Sequence, residues 1–283
     1  MARYGKRKSR NWGWGRSAKN AAKNALRCHA GGGHFANVAT HSERFNLCCD
    51  WMKAELGITD LRDFTKEHLQ NYAKHLKALM LDGRIAVSTA TNRISSCNVV
   101  FQVLRSDTKI RIDKIGELLG VKRSYIRRSV PNGMHLPDVE SLQQQLMEAG
   151  LARIAAVVGL TSSCGMRLRE SILADLPRLE REAREIGKIN IQEGAKGGRR
   201  GAFAERWIPA SDEVKAAIEY AMTVSPKSSR NLLAFSEQYK TFLRGPIEKA
   251  RREFLGISIK GFHELRAAYA CRRYEQITRY PAP

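Results

Sequence analysis

Acidic residues are scarce in this sequence, long apolar runs are missing, and the cysteines follow no metal-binding or disulfide pattern. Asp and Glu number 28 against 49 Lys and Arg, which leaves a formal net charge of +21 over 283 residues. Self-repulsion on that scale persists most readily where phosphates offset it, so the charge points to a polyanionic partner and away from a small-molecule substrate. No apolar stretch approaches the roughly 20 residues a membrane span needs. The basic N-terminus, Met1-Ala-Arg-Tyr-Gly-Lys-Arg-Lys, lacks the apolar core of a secretory signal. Six cysteines, at 28, 48, 49, 97, 164 and 271, form no CxxC pair and keep no regular spacing. Four of them fall inside apolar helical patterns, so they read as buried, reduced thiols rather than disulfides or metal ligands. No metal and no cofactor is expected, and the compartment expected is a reducing cytoplasm.

What is present is enough apolar sequence, 43%, for real hydrophobic cores. The length suits one large domain or two modest ones. The charge is unevenly spread. Residues 1–30 carry nine Lys and Arg and no acid, residues 104–130 carry a net +5, and residues 211–283 another +5. The segments 31–103 and 131–192 are nearly balanced. The first segment therefore reads as a basic, flexible arm over residues 1–34. Tyr4, Trp12 and Trp14 stand in it among Arg7, Lys8, Arg10 and Arg16, a mixture suited to stacking or groove insertion alongside phosphate neutralisation. A solubilising tail fits the same composition. Its last part, Ser17 to Leu26, could fold as a short helix on contact.

Residues 35–130 read as a helical domain. From Thr40 to Leu56, apolar Phe45, Cys48, Cys49, Met52 and Leu56 recur at helical spacing. Thr65 offers an N-cap for a second helix striped by Leu69, Tyr72, Ala73, Leu76 and Leu79. A third starts at Ser88-Thr-Ala-Thr and turns Ile94, Cys97, Val100, Phe101 and Leu104 inward, and a short fourth runs over Ile115–Leu119. The stretch from Arg127 to Pro137 breaks the pattern with two prolines and a glycine and reads as a linker, with the boundary near residue 130. Beyond it, helices are expected over Asp138–Met147, Leu151–Leu160 and Arg167–Leu176. The period then changes to two. Lys188-Ile-Asn-Ile-Gln and Ala204–Pro209 read as strands around a glycine-rich turn beginning at Gly194. Helices from Ser211, over Gln238–Phe254 and over His263–Ile277 complete a mostly α second domain, 131–283, with one small sheet.

Breaking a DNA strand without a metal requires cations on the scissile phosphate, a proton for the leaving 5′ oxygen and an in-line nucleophile. Arginine suits the first task, because its planar fork binds phosphate bidentately and keeps its proton. Arg167 opens a helix with Glu170 on the same face one turn on. His263 and Arg266 share a face at the start of another helix. Lys196 sits at the tip of the expected hairpin among Gly194, Gly197 and Gly198. Each feature alone is more often structural: a surface ion pair, a core histidine, a solvated turn lysine.

Their order is more telling. Gly-Met-Arg-x-x-Glu opening a helix, then a lysine in a β-hairpin turn, then His-x-Leu-Arg resembles the tyrosine recombinases, the phage-type integrases. The helices of the first domain resemble that family's SAM-like core-binding domain, so the likeness spans residues 35–280. It implies a mostly α fold: a SAM-like core-binding domain plus a mixed α/β catalytic domain, the two closing on duplex DNA. It implies that Arg167 and Arg266 clamp the scissile phosphate, that Lys196 protonates the 5′ oxygen, that His263 assists proton transfer and that Glu170 holds the first arginine. A homotetramer on DNA, a monomer or weak oligomer off it, and a nucleoid-associated location follow from the same likeness.

The sequence departs from the family pattern after Arg266. Seventeen residues follow, without the Leu-Gly-His box and without a tyrosine at the family's distance beyond it. Tyr269 and Tyr274 fall on the helix of His263, and Tyr280 precedes Pro281-Ala-Pro. Tyr280 is the least unsuited nucleophile of the three. The expectation is a catalytic domain incomplete at its C-terminus and inactive alone. Arg93, Lys122, Arg123, Arg127 and Arg128 are candidate DNA-facing cations, or simply a solvated face. Two other readings stand beside the recombinase: a DNA-binding protein that keeps the fold without the chemistry, and an RNA-binding protein. For the last, no RNP-like aromatic sheet gives support, and the Gly-x-x-Gly spacings at Gly194–Gly197 and Gly198–Gly201 read as the hairpin turn, not as a clamp.

Overall fold

The structure is a computed structural model, and it describes residues 9–31, 34–121, 123, 124, 127, 129–195, 205–256 and 259–283. The chain divides into two compact units, Met1–Ile126 and Arg127–Pro283. The division falls a few residues before the expected boundary.

The first unit contains α1 (Ala18–His29), α2 (Phe35–Leu56), α3 (Lys66–Leu81), α4 (Val87–Arg105) and the short α5 (Ile115–Leu119). The predicted stripes are the faces it buries. Phe45, Cys48, Cys49 and Met52 of α2 meet Ile94, Cys97, Val100, Phe101 and Leu104 of α4, with Leu69, Tyr72, Ala73 and Leu76 of α3 joining them. Phe101 anchors the centre, edge-on to Phe45 with ring centroids 5.3 Å apart and stacked on Phe64 at 5.0 Å. Thr65 caps α3 as predicted: its Oγ1 accepts from the His68 backbone N–H, and the Thr65 N–H is returned to His68 Nδ1. All six cysteines are free. Burial pushes the Cys48 and Cys49 thiols up.

The structure corrects the flexible arm for residues 9–31. Ala21, Ala22, Ala25 and Leu26 are buried in the core of the first unit, and α1 packs against α2 and α4. The reason is the spacing: small apolar residues on one face let α1 approach closely, while Lys19, Lys23 and Arg27 remain outside the core. Trp12 is buried too. The turn that carries it places Asn11 and Trp12 at φ 48° and 53°, left-handed values that side chains seldom adopt. A local network over-determines that turn. The Asn11 N–H donates to Asp60 Oδ1, its amide donates to the carbonyls of Gly15 and Arg16, and its Oδ1 accepts from Leu61.

In the second unit α7 (Ala152–Cys164) is the central element. It is apolar nearly all round, as a helix enclosed by others must be, and it packs on α6 (Leu136–Glu148), α10 (Asp212–Val224) and α13 (Phe262–Thr278). Next to α7 in sequence are α8 (Leu168–Leu173) and α9 (Leu176–Ile186). The sequence reading misses α9: it runs the preceding helix on to Leu176 and expects none after it. Asp175 instead caps the new helix by accepting from the Arg178 N–H, and Pro177 occupies its first turn, where no N–H is needed. β1 (Lys188–Asn190) and β2 (Trp207–Pro209) form a two-stranded antiparallel sheet with Ile189 opposite Ile208. The helix expected over 238–254 is divided into α11 (Tyr239–Phe242) and α12 (Glu248–Glu253) by a π-turn at Leu243–Ile247. Pro246, which has no N–H to give, lies inside that turn.

Candidate active site

The site is built where α7, α8, α13 and the start of β2 meet. α7 ends at Gly165, whose φ of 60° and tight surroundings both demand glycine. A Cβ there would lie 2.3 Å from a ring carbon of Tyr269. The chain then reaches Arg167, the N-cap of α8, with Glu170 one turn on. Glu170 is fully buried. Its Oε2 accepts the Arg167 backbone N–H at 2.6 Å, the returning half of a capping box, and its Oε1 accepts Arg167 Nη1 at 2.7 Å.

Two further arginines converge on the same carboxylate. Arg206, at the entry to β2, grips it as a fork, Nη2 to Oε2 at 2.5 Å and Nη1 to Oε1 at 3.3 Å. Arg266, from the first turns of α13, donates Nη1 to the Gly165 carbonyl at 2.5 Å and stands 3.5 Å from Glu170 Oε2. Burial alone would raise the Glu170 pKa. The hydrogen bonds from Arg206 and Arg167 outweigh it and hold the carboxyl below the usual carboxylate range. Desolvation, with Arg206 and Arg167 close by, lowers the pKa of Arg266. Three guanidiniums around one carboxylate leave a local excess of positive charge, an electrostatic demand for an anion.

Arg167 and Arg266 open onto a cavity of about 630 Å³, whose other charged or titratable lining residues are Arg251, Lys260 and His263. No acidic side chain lines it among the described residues. His263 is exposed, one turn ahead of Arg266. The structure thus brings together Arg167, Glu170, His263 and Arg266, as the sequence motif requires. It adds Arg206, Arg251 and Lys260, which sequence reasoning misses. Arg206 lies 36 residues from its partner, and nothing in local spacing marks the pair.

Lys196 lies outside the described residues, as do Lys122 and Arg128. The chain leading to Lys196 is described. Glu193 pairs with Arg178, and Gly194 at φ 69° lies so close to α8 that a Cβ would stand 2.7 Å from the Arg169 carbonyl oxygen. Arg93 is half-buried on α4, and Arg123 donates to Asn92 Oδ1 at 3.3 Å. Arg127 forks onto Glu264, next to His263, at 2.5 and 2.9 Å, so its donors serve α13 first. Tyr280 is exposed and follows the far end of α13. The twelve helical steps from Arg266 to Thr278 span about 18 Å, so the structure does not bring Tyr280 to the cavity. Tyr269 packs against Gly165 and lines a separate small cavity of about 150 Å³. No group of His, Cys, Asp and Glu that could hold a metal ion occurs among the described residues, and no described helix is long and apolar enough to cross a membrane.

No protein-family profile matches the chain, and no curated protein sequence matches it. Solved structures do. The Tn1549 transposon integrase in complex with circular intermediate DNA superposes with a TM-score of 0.55 at 13% identity, over 94% of this chain and 89% of that one. A variant of the same integrase in complex with transposon right end DNA gives 0.56 at 15% identity, over 91% and 86%. The fold of this chain, mostly helical with one small antiparallel sheet, is the tyrosine-recombinase fold of these integrases.

Proposed function

We propose that this protein is a site-specific DNA recombinase of the integrase type, acting on duplex DNA of a mobile element. The observation that carries the proposal is the cluster of Arg167, Arg206 and Arg266 on buried Glu170, two of whose arginines open into a cavity whose described lining includes Arg251, Lys260 and His263 and no acid. Arg167 and Arg266 bind the non-bridging oxygens of one backbone phosphate and stabilise the charge that grows on them in the transition state. A tyrosine oxygen attacks phosphorus, a 3′-phosphotyrosyl bond forms and the bond to the 5′ oxygen breaks. Lys196 gives that oxygen its proton, and His263, beside the same phosphate, assists proton transfer. Rejoining runs the same steps in reverse. The first unit grips the duplex, with Arg93 and Arg123 among its contacts, and four copies assemble on paired sites. The protein works where its DNA is.

The nucleophile stays unassigned. Neither Tyr269 nor Tyr280 is among the residues that line the cavity of Arg167 and Arg266, which favours a second reading in which this chain binds DNA through the same cations without cutting it. A nicked duplex carrying the element's own ends separates the two. Recombinase action leaves a covalent protein–DNA adduct that survives denaturant and is lost in Arg167→Ala. Binding without any adduct supports the second reading.

A further inference from the structure

We infer that Arg206 is a positioning residue: it neutralises Glu170 from behind, so that Arg167 and Arg266 keep their outward N–H donors for a phosphate. The inference rests on the reading of this cluster as a phosphate clamp, and deepens it.

A fully buried carboxylate must be compensated, and here the division of labour is unequal. Arg206 gives Glu170 a two-pronged fork, the strongest geometry available to the pair. Arg167 spends one Nη and its backbone N–H on the carboxylate, and its side chain is otherwise 46% exposed. Arg266 spends Nη1 on the Gly165 carbonyl and only grazes Glu170 at 3.5 Å. Arg167 and Arg266 line the cavity, and Arg206 does not. The residue that binds the carboxylate most completely is therefore the one that does not line the cavity.

Arg206 is delivered by the sheet, independently of α8 and α13. Its N–H donates to Asn190 Oδ1 at 3.3 Å, and its carbonyl accepts the Ile191 N–H at 3.1 Å, which fixes its backbone against β1. Its Nε is buried with no hydrogen-bond partner among the described residues, so the fork at Glu170 is what orients the guanidinium. Without Arg206, the carboxylate would draw Arg266 inward and repel the incoming phosphate. Both effects weaken the clamp without removing any group that touches DNA.

The test is a set of variants titrated with a labelled, mixed-sequence DNA duplex across a range of salt, each melted thermally to verify folding. Arg206→Met is expected to weaken binding by at least about tenfold. Its salt slope should stay at the wild-type value, whereas Arg167→Ala and Arg266→Ala each lower the slope by about one. Glu170→Gln placed on Arg206→Met removes the charge Arg206 exists to cancel, and should return affinity to within about threefold of Glu170→Gln alone. Arg206→Gln with and without Glu170→Gln supplies the same comparison should the Met variant not fold. Additive losses in the double variant overturn the inference, because a merely structural arginine is not rescued by removing its partner's charge. A slope lowered as much as in Arg266→Ala also overturns it, by making Arg206 a direct phosphate contact. Failure of the clamp reading has its own signature: Arg167→Ala and Arg266→Ala would then leave affinity and slope unchanged.

Discussion

At the scale of single residues, Glu170 is the pivot of the second unit. It holds two helix starts and one strand by their arginines, so its loss leaves three cations crowded without a counter-charge. Glu170→Ala is expected to cost roughly 3–5 kcal/mol, as breaking a buried ion pair does, and a lowered melting temperature checks it. Because its carboxyl is held below the ordinary 4.5, its stabilising contribution is complete above that pH and is lost as the pH falls through the depressed value. Asp60 has the same sign in the first unit. Burial opposes its charge, but Arg62 and the N–H groups of Asn11 and Arg62 hold it down, from 3.8 to about 2. Acid titration should therefore show the first unit losing stability toward pH 2, and Asp60→Asn should remove that part of the pH dependence. Gly165→Ala faces both a left-handed backbone and the Tyr269 ring, and is expected to cost about 2–4 kcal/mol, read from thermal melting.

At the scale of elements, the helices read from the sequence are those whose apolar residues repeat with the helical period and whose ends carry their own caps. α3 behind Thr65 is the clear case. The small sheet was legible because the period changes abruptly at Lys188. What the sequence hid was tertiary in origin. α1 looked like part of a basic tail because Lys19, Lys23 and Arg27 dominate its composition, yet its alanine face is buried. Charge counts average over faces, and packing does not. Ala22→Leu should consequently overpack α1 against its neighbours and cost about 1–3 kcal/mol, measured by denaturant unfolding, whereas a free arm would tolerate it. α9 was hidden by a proline that starts the helix rather than ending it. The site itself was half legible. Arg167, Glu170, His263 and Arg266 stand in local motifs, whereas Arg206, Arg251 and Lys260 reach the same place only through the fold.

At the scale of the whole molecule, the net charge of +21 resolves into unequal parts. Many cations are committed to partners inside their own unit: Arg127 to Glu264, Arg153 to Glu237, Arg178 to Glu182 and Glu193, and Arg206 to Glu170. The cavity at Arg167 and Arg266 differs in having no acid among its described lining residues. Nonspecific grip on DNA should therefore draw on many surface cations, and the clamp should contribute a small, separable share of the salt dependence. The measurement that tests this most directly is the affinity of wild-type protein and Arg266→Ala for duplex DNA as salt is raised. A clamp on one phosphate predicts weaker binding by Arg266→Ala, with its log–log salt slope shallower by about one. Identical affinities and identical slopes for the two proteins would contradict the account.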